Sequence, residues 1–469
     1  MCRPAHTVAT HGATNHPMQT AVLDSTPVIP YRSPSPRAVS DSLLDPPGDH
    51  GPSEPSAAPG HSSGPGPGLP SRFDLDHDFT DALAHISRIR KRKKLRRDPV
   101  YQRIRPQLER VLRGFEWDLE PTLGKELTTR RPGCVRAVAW NVERGKRYEG
   151  LSTLLRTDPE LRDADILMLT EVDIGMGRSN NRNVPKEIAA ELGMGYVFAN
   201  YHIVLAEGDR GERGHGIPNT KALHGCALLT RFPVLRFEAV ELFERRDKFH
   251  ATEKRMGNKR TLLCELLLPD GPLTVALVHL DPFAGPRNRA VQLGEIVDRM
   301  RRFGGKRMLL GGDLNTNTFD LSTTRGLAYS LIWKMTRFSW QRMAEQYMTP
   351  DENVERKVFE TLRSGGLQID GFNDFNKGTI YYDVYDPDLA RKMLDYFPRR
   401  VSQWMLRYLE RKLAPWAGRV PMRVDWFAGA GLTPRCPQVI ERPTVEGRIV
   451  SDHNPILVDL ELGPPLEAS

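Results

Sequence analysis

A chain of 469 residues with 39% hydrophobic side chains can bury a sizeable core, and its 37 Pro and 39 Gly crowd toward the N-terminus, where they dilute the average. The formal charge of +8 excludes little, because it is local: between Arg88 and Arg113 twelve Lys and Arg stand against Asp98 and Glu109, a surplus of ten that leaves −2 for the rest. Five scattered cysteines, Cys2, Cys134, Cys226, Cys264 and Cys436, form no CxxC pair and argue against a zinc site or a disulfide framework. With no leader-like apolar stretch and no run near the ~18 apolar residues of a spanning helix, the expectation is a soluble, cytoplasmic protein.

Residues 1–73 are rich in Pro, Gly, Ser and His and cannot bury enough apolar surface to offset chain entropy, which predicts a disordered tail. Residues 74–133 form a predicted basic helical arm: Phe79, Leu83 and Ile86 fall at helix spacing, and Pro99 and Pro106 are expected to begin or break helices. Arg88–Arg113 offers a polyanion contact, against the plainer reading of a solvated charged helix. From Val135 short apolar runs alternate with amphipathic stretches in an α/β rhythm. Strands are predicted at 135–140, 165–170, 226–230, 261–268, 273–279, 307–312, 424–428 and 456–462, and helices at Tyr148–Leu155, Val184–Leu192 and Arg287–Phe303. Residues 134–463 thus read as one catalytic domain, with a helical insertion at about 319–420 and a tail at 464–469. Within the insertion, 397–416 mixes Trp404, Leu406, Leu409 and Leu413 with Arg and Lys, a pattern of a core-packed or an interfacial helix.

Five strand ends deposit acids, amides or imidazoles: WNVERG (Asn141), LTEVD (Glu171), LVHLDP (His279), GGDLNTN (Asp313, Asn315) and SDHNP (Asp452, His453). One such residue is ordinarily just a loop residue at the water boundary, but the set has a chemistry. Phosphoester hydrolysis needs a hard cation, a positioned water and donors around the phosphoryl oxygens. Mg²⁺ takes oxygen ligands and keeps several waters, so Glu171, Asn141 and Asp452 are the candidate ligands. Imidazoles supply hydrogen bonds or charge, and Asp425 is of the type to pair with His453.

Taken in order from Val135 to about Leu462, these motifs resemble the endonuclease/exonuclease/phosphatase superfamily, the deoxyribonuclease I-like hydrolases. GDLN followed by SDHNP is the specific combination, and HGCALLTRFPV (224–234) resembles a structural strand of the family, with Cys226 where Asn is common. The resemblance implies an α/β (α+β) fold, a four-layer sandwich of two mixed β-sheets flanked by helices. It also implies that Glu171 binds Mg²⁺ (or Mn²⁺ in its place) with Asn141 and Asp452, and that Asp313 and Asn315 position or activate water. His279 and His453 would contact phosphate, with Asp425 orienting His453. Whether Asp313 or the Asp425–His453 pair is the general base stays open. Arg178, Ser179 and Asn183 follow the metal Glu closely enough to touch substrate, against the reading of a solvated loop capping the next helix. The catalytic Tyr of abasic-site endonucleases has no clear counterpart. The substrate class stays open among nucleic acid, phospholipid and small phosphate esters, and the rival reading is a catalytically idle fold anchored to nucleic acid or anionic membrane by its basic arm.

Overall fold

The computed structural model describes residues 75–208, 212, 216–244, 247–251, 253–316, 340–386 and 398–464. The expected tail at 1–73 and residues 465–469 lie outside these residues.

Three helices come first: α1 (Thr80–Ser87), α2 (Arg92–Leu95) and α3 (Pro99–Arg113). Asp98 caps α3, its Oδ1 accepting the Tyr101 N–H at 3.0 Å, and Pro99 occupies the first turn, where its missing N–H costs nothing. Pro106, expected to begin or break a helix, instead lies inside α3. An interior proline costs about 3 kcal/mol, and the packing of Ile104, Leu108 and Val111 into the core opposes that cost. Leu83, Ile86 and Leu95 of α1 and α2 enter the same cluster. The basic segment is therefore a layer of the body with its Lys and Arg heads in water, not a projecting arm.

The strands, in chain order, are β1 (Phe115–Asp118), β2 (Cys134–Arg144), β3 (Ile166–Ile174), β4 (Gly195–Val204), β5 (Leu223–Thr230), β6 (Val234–Glu241), β7 (Arg255–Met256), β8 (Arg260–Leu268), β9 (Gly271–His279), β10 (Met308–Asp313), β11 (Ile380–Asp383), β12 (Arg419–Met422), β13 (Asp425–Ala430), β14 (Pro434–Val439), β15 (Thr444–Val445), β16 (Arg448–Ile449) and β17 (Ile456–Glu461). The further helices are α4 (Tyr148–Thr157), α5 (Val184–Leu192), α6 (Pro286–Arg302), α7 (Trp340–Met348), α8 (Arg356–Ser364) and α9 (Arg399–Leu413). One sheet runs β1-β4-β5-β3-β2-β17-β14, with β7 beside β4, and the other runs β13-β10-β9-β8-β6. Each is mixed: β2/β3 and β9/β10 are parallel and the neighbouring pairs antiparallel.

Period-two alternation sorts the strands into layers. Val135, Ala137 and Ala139 of β2 meet Leu262, Cys264, Val275, Leu277 and Phe427 between the sheets. Their neighbours Val138, Trp140 and Val142 face α1–α5. On the far side Leu263, Ala276, Val278 and Leu310 face α6 and α8. The result is helix, sheet, sheet, helix, the four-layer sandwich of two mixed sheets that the resemblance implies. The segment expected as an insertion divides: Val358, Phe359, Leu362, Leu367 and Ile369 complete the outer helical layer, whereas Ala344, Leu413 and Val420 form a small separate cluster around the β11–β12 ribbon. Cys134, Cys226 and Cys264 are free thiols.

Candidate active site

The central strand ends converge because both parallel pairs run toward the same end of the sandwich. β2 and β3 stay in register to Asn141↔Thr170, then slip before Arg144↔Val172, and β3 slips against β5 over the same residues. Glu143, Arg144 and Glu171 take up the irregularity at φ of 45°, 69° and 54°, left-handed values that are costly for residues with a Cβ. Thr170 and Val172 remain fully buried while the Glu171 carboxylate is 22% exposed, so the bulge aims an acid out of an otherwise apolar strand.

The GGD motif does related work on the second sheet. Gly312 has φ of +128°, and a Cβ there would lie 2.2 Å from the Val278 carbonyl oxygen, so only glycine lets β10 close on β9. Asp313 is thereby set opposite His279 on one side and Asp425 on the other. The Asn315 N–H donates to Asp313 Oδ1 at 2.7 Å, and the Asn315 amide donates to Leu280 O at 2.9 Å, which orders the loop after β10.

Polar contacts join these ends across the two sheets. Asn141 Nδ2 donates to Asp313 Oδ2 at 3.3 Å, while Asn141 Oδ1 accepts the Glu143 N–H at 3.1 Å. His279 Nε2 lies 3.4 Å from Asp313 Oδ2 and 3.9 Å from Glu171 Oε1. His453 Nδ1 meets Asp425 Oδ2 at 2.8 Å. Trp140 donates to His453 O at 2.9 Å, and Ser451 Oγ donates to Asn141 O at 2.7 Å, tying the SDHNP loop to β2. Asp452, half-buried beside His453, adds its charge to that imidazole's surroundings.

The electrostatics separate the groups into distinct forms. Burial alone would raise Glu171, but Arg144, His279, His224 and Lys259 outweigh it and hold the carboxyl well below its usual range, so it is anionic. Burial and the facing Asp425 push Asp313 up to about 7. Burial and Lys259 push His279 well below its usual value, so it is neutral near pH 7. Burial opposes charge on His453, but Asp425 outweighs it and lifts the imidazole well above its usual value, making it a cation.

Two expected substrate contacts sit elsewhere. Arg178 has a side chain only 2% exposed, with Nε and Nη2 forked onto Asp173 at 2.7 and 3.0 Å and Nη1 on Glu212 at 3.0 Å and on Glu253. It faces buried acids, not a cleft, because so many paired charges can be interred only around a central cation. Asn183 is the N-cap of α5, Oδ1 accepting the Lys186 N–H at 3.3 Å, and its Nδ2 donates to Glu116. Ser179 is buried on Met176 O. Asn183 caps the helix, but the loop before it is not solvated, because Arg178 and Ser179 are buried. Three residues were missed. Arg144 lies 3.8 Å from Glu171, and its place inside WNVERG was the available signal. Tyr201 Oη is 3.4 Å from His279 Nδ1. Lys259 donates to Leu280 O at 2.9 Å, the same carbonyl that Asn315 uses, and burial together with Lys248 pushes it down to about 8.

The donor set suits a hard divalent cation. Glu171 is anionic and partly exposed, and Asn141 offers an amide oxygen beside it. Asp425 Oδ1 is buried without a hydrogen-bond partner among the described residues; the neighbouring Asp313, Asp425 and His453, whose polar atoms lie within 4.8 Å of one another, form a proton-holding group beside these ligands, since the His453 cation is bonded to Asp425.

The model of the Endonuclease/Exonuclease/phosphatase family matches residues 138–453. The chain belongs to this family. Solved structures of similar fold include an endonuclease/exonuclease/phosphatase from Beutenbergia cavernae (14% identity, TM-score 0.40, 70% of this chain and 72% of that one). A 3'-5' exonuclease from Neisseria meningitidis (15%, 0.38, 70% and 100%) and the human Nocturnin catalytic domain (15%, 0.40, 73% and 98%) are also similar. No curated protein matches the chain in sequence.

Proposed function

We propose that this protein is a divalent-metal-dependent phosphoester hydrolase. The observation that carries the reading is the placement of Asp313 between His279 and Asp425 on adjacent strands, with Asn141 bonded to it from the other sheet. Glu171, Asn141 and Asp452 would hold Mg²⁺, or Mn²⁺ in its place; a bound cation polarises the phosphoryl oxygens and neutralises developing charge. The protein's own groups supply the rest. Asp313, with Oδ1 fixed by the Asn315 N–H, accepts the proton of the attacking water, and its value near 7 suits a base at neutral pH. The new P–O bond forms in line as the ester P–O bond breaks, and the leaving oxygen takes a proton from solvent water, to which Asp313 in turn releases the one it accepted. The His453 cation, oriented by Asp425, donates to a phosphoryl oxygen, and neutral His279 donates a second hydrogen bond. Asp313→Asn is expected to lower turnover of bis-p-nitrophenyl phosphate by about 10²–10⁴-fold while circular dichroism stays unchanged; near-normal turnover would remove Asp313 from this role. The intact set of acids and imidazoles weighs against the idle-fold reading.

A further inference from the structure

Helix α9 carries a face that neither the core nor the catalytic groups use. Of its residues Arg399–Leu413, Ser402 and Leu413 are buried and Met405, Leu406, Tyr408 and Leu409 half-buried. At about 100° per residue all of these except Tyr408 share one side of the helix. On the other side Arg400, Arg407 and Arg411 fall within about 40° of one another. Trp404 stands among them, 60% exposed, flanked by Val401 at 41%, Tyr408 and Lys412. The single acid, Glu410, flanks the cluster on the side of Arg407, about 120° round the helix from Trp404. Trp404 stacks on Tyr408 with centroids 5.8 Å apart, and Lys412 Nζ lies 5.9 Å from the Tyr408 ring centroid. A face evolved only for solvation has no use for a Trp and a Val at its centre, because exposing them forfeits the burial they could gain elsewhere.

The helix also stands close to the chemistry. Its C-terminal Leu413 packs with Val420 of β12, and β12 pairs with β11, whose Ile380 bridges directly to His453. The Thr379 hydroxyl accepts the Val424 and Asp425 N–H groups at 2.9 and 3.1 Å, anchoring the root of that ribbon on the catalytic pair. Four paired residues span about 13 Å, so the ribbon ties the C-terminal end of α9, at Leu413, to the catalytic pair.

We infer that α9 docks the protein onto an anionic lipid surface, with Trp404 and Val401 entering the headgroup boundary and Arg400, Arg407, Arg411 and Lys412 pairing with lipid phosphates and carboxylates. Aromatic residues with one apolar and one polar edge settle at that boundary, and basic side chains beside them add electrostatic attraction. A nucleic-acid strand fits less well: Val401 offers a strand nothing, and the basic residues sit on one convex helix face, not in a groove. Given the hydrolase reading, on which this last step rests, the substrate is a phosphoester presented at a membrane surface; the docking itself does not depend on catalysis.

Cosedimentation of the full-length protein with phosphatidylcholine vesicles, with and without phosphatidylserine, tests this without reference to turnover. Binding is expected only with phosphatidylserine present, weakening as salt is raised. Each removed basic charge should cost about fivefold in affinity, so Arg407→Gln/Arg411→Gln loses about 25-fold and Trp404→Ala about tenfold. Both variants should keep the wild-type circular dichroism and the wild-type turnover of bis-p-nitrophenyl phosphate, since none of these side chains reaches the site. Absence of vesicle binding, binding indifferent to both variants, or an α9-dependent preference for single-stranded DNA over vesicles would overturn the inference. Loss of soluble-substrate turnover in the wild type would count against the hydrolase reading alone.

Discussion

Arg178 shows what a residue's sequence neighbours conceal. In GMGRSNN it reads as a loop arginine free to clamp phosphate, yet it neutralises three acids, Asp173, Glu212 and Glu253, that are otherwise interred. Removing one partner of such a group leaves uncompensated buried charge, so Arg178→Met should destabilise the fold by about 3–5 kcal/mol in urea unfolding. A substrate clamp would instead raise KM at unchanged stability. The same acids set a pH limit. Burial alone would raise Glu212 and Glu253, but Arg144 and Arg178 hold the first at about 2, and Arg178 and Arg255 hold the second lower still. Because both folded values lie below those of the unfolded chain, unfolding takes up protons in acid. The stabilisation is complete above about pH 4.5 and is lost as pH falls toward 2. The urea midpoint should drop across that window; a flat profile would contradict the network. At this scale the strand-end residues Asn141, Glu171, His279, Asp313 and His453 were legible because an acid or imidazole closing an apolar run stands out. Tyr201 and Lys259 were not, since a Tyr inside a strand and a Lys before one look ordinary until tertiary packing buries them.

Among the elements, the helices α4, α5 and α6 and the strands β2, β3, β5, β8, β9, β10, β13 and β17 follow the predicted segments to within a few residues. Strand β4 escaped because it is buried along its whole length, which removes the two-residue alternation, while Asn200 and His202 interrupt its apolar run. The basic segment was recognised as helical, but sequence could not show that its apolar stripe covers β4. Leu108→Ala, at a site 1% exposed, should cost about 2–5 kcal/mol. Deleting residues 75–113 should strip the sheet of a helical layer, and the expected outcome is loss of cooperative unfolding and aggregation. A soluble truncation with a sharp melting transition would show that the segment is dispensable after all.

For the molecule as a whole, the α/β rhythm indicated the fold class, and the family resemblance carried by the ordered motifs implied the sandwich of two mixed sheets. What sequence could not apportion was 319–420, where helices that complete the sandwich and helices that pack on the β11–β12 ribbon share one amphipathic pattern; residues 317–339 and 387–397 lie outside the described structure. The local surplus of positive charge likewise says more about surfaces than about chemistry, since the groups around Asp313 are set by burial and by one another. The central claim is that a divalent cation held at Glu171 serves a base at Asp313. Its most direct test is turnover of a phosphoester panel spanning DNA, RNA, sphingomyelin, inositol phosphates and bis-p-nitrophenyl phosphate, with Mg²⁺ or Mn²⁺ and with EDTA, for the wild type beside Glu171→Gln. Hydrolysis of at least one substrate that requires the metal and vanishes in Glu171→Gln is the predicted result; hydrolysis that survives EDTA, or a folded Glu171→Gln variant with wild-type turnover, would contradict it.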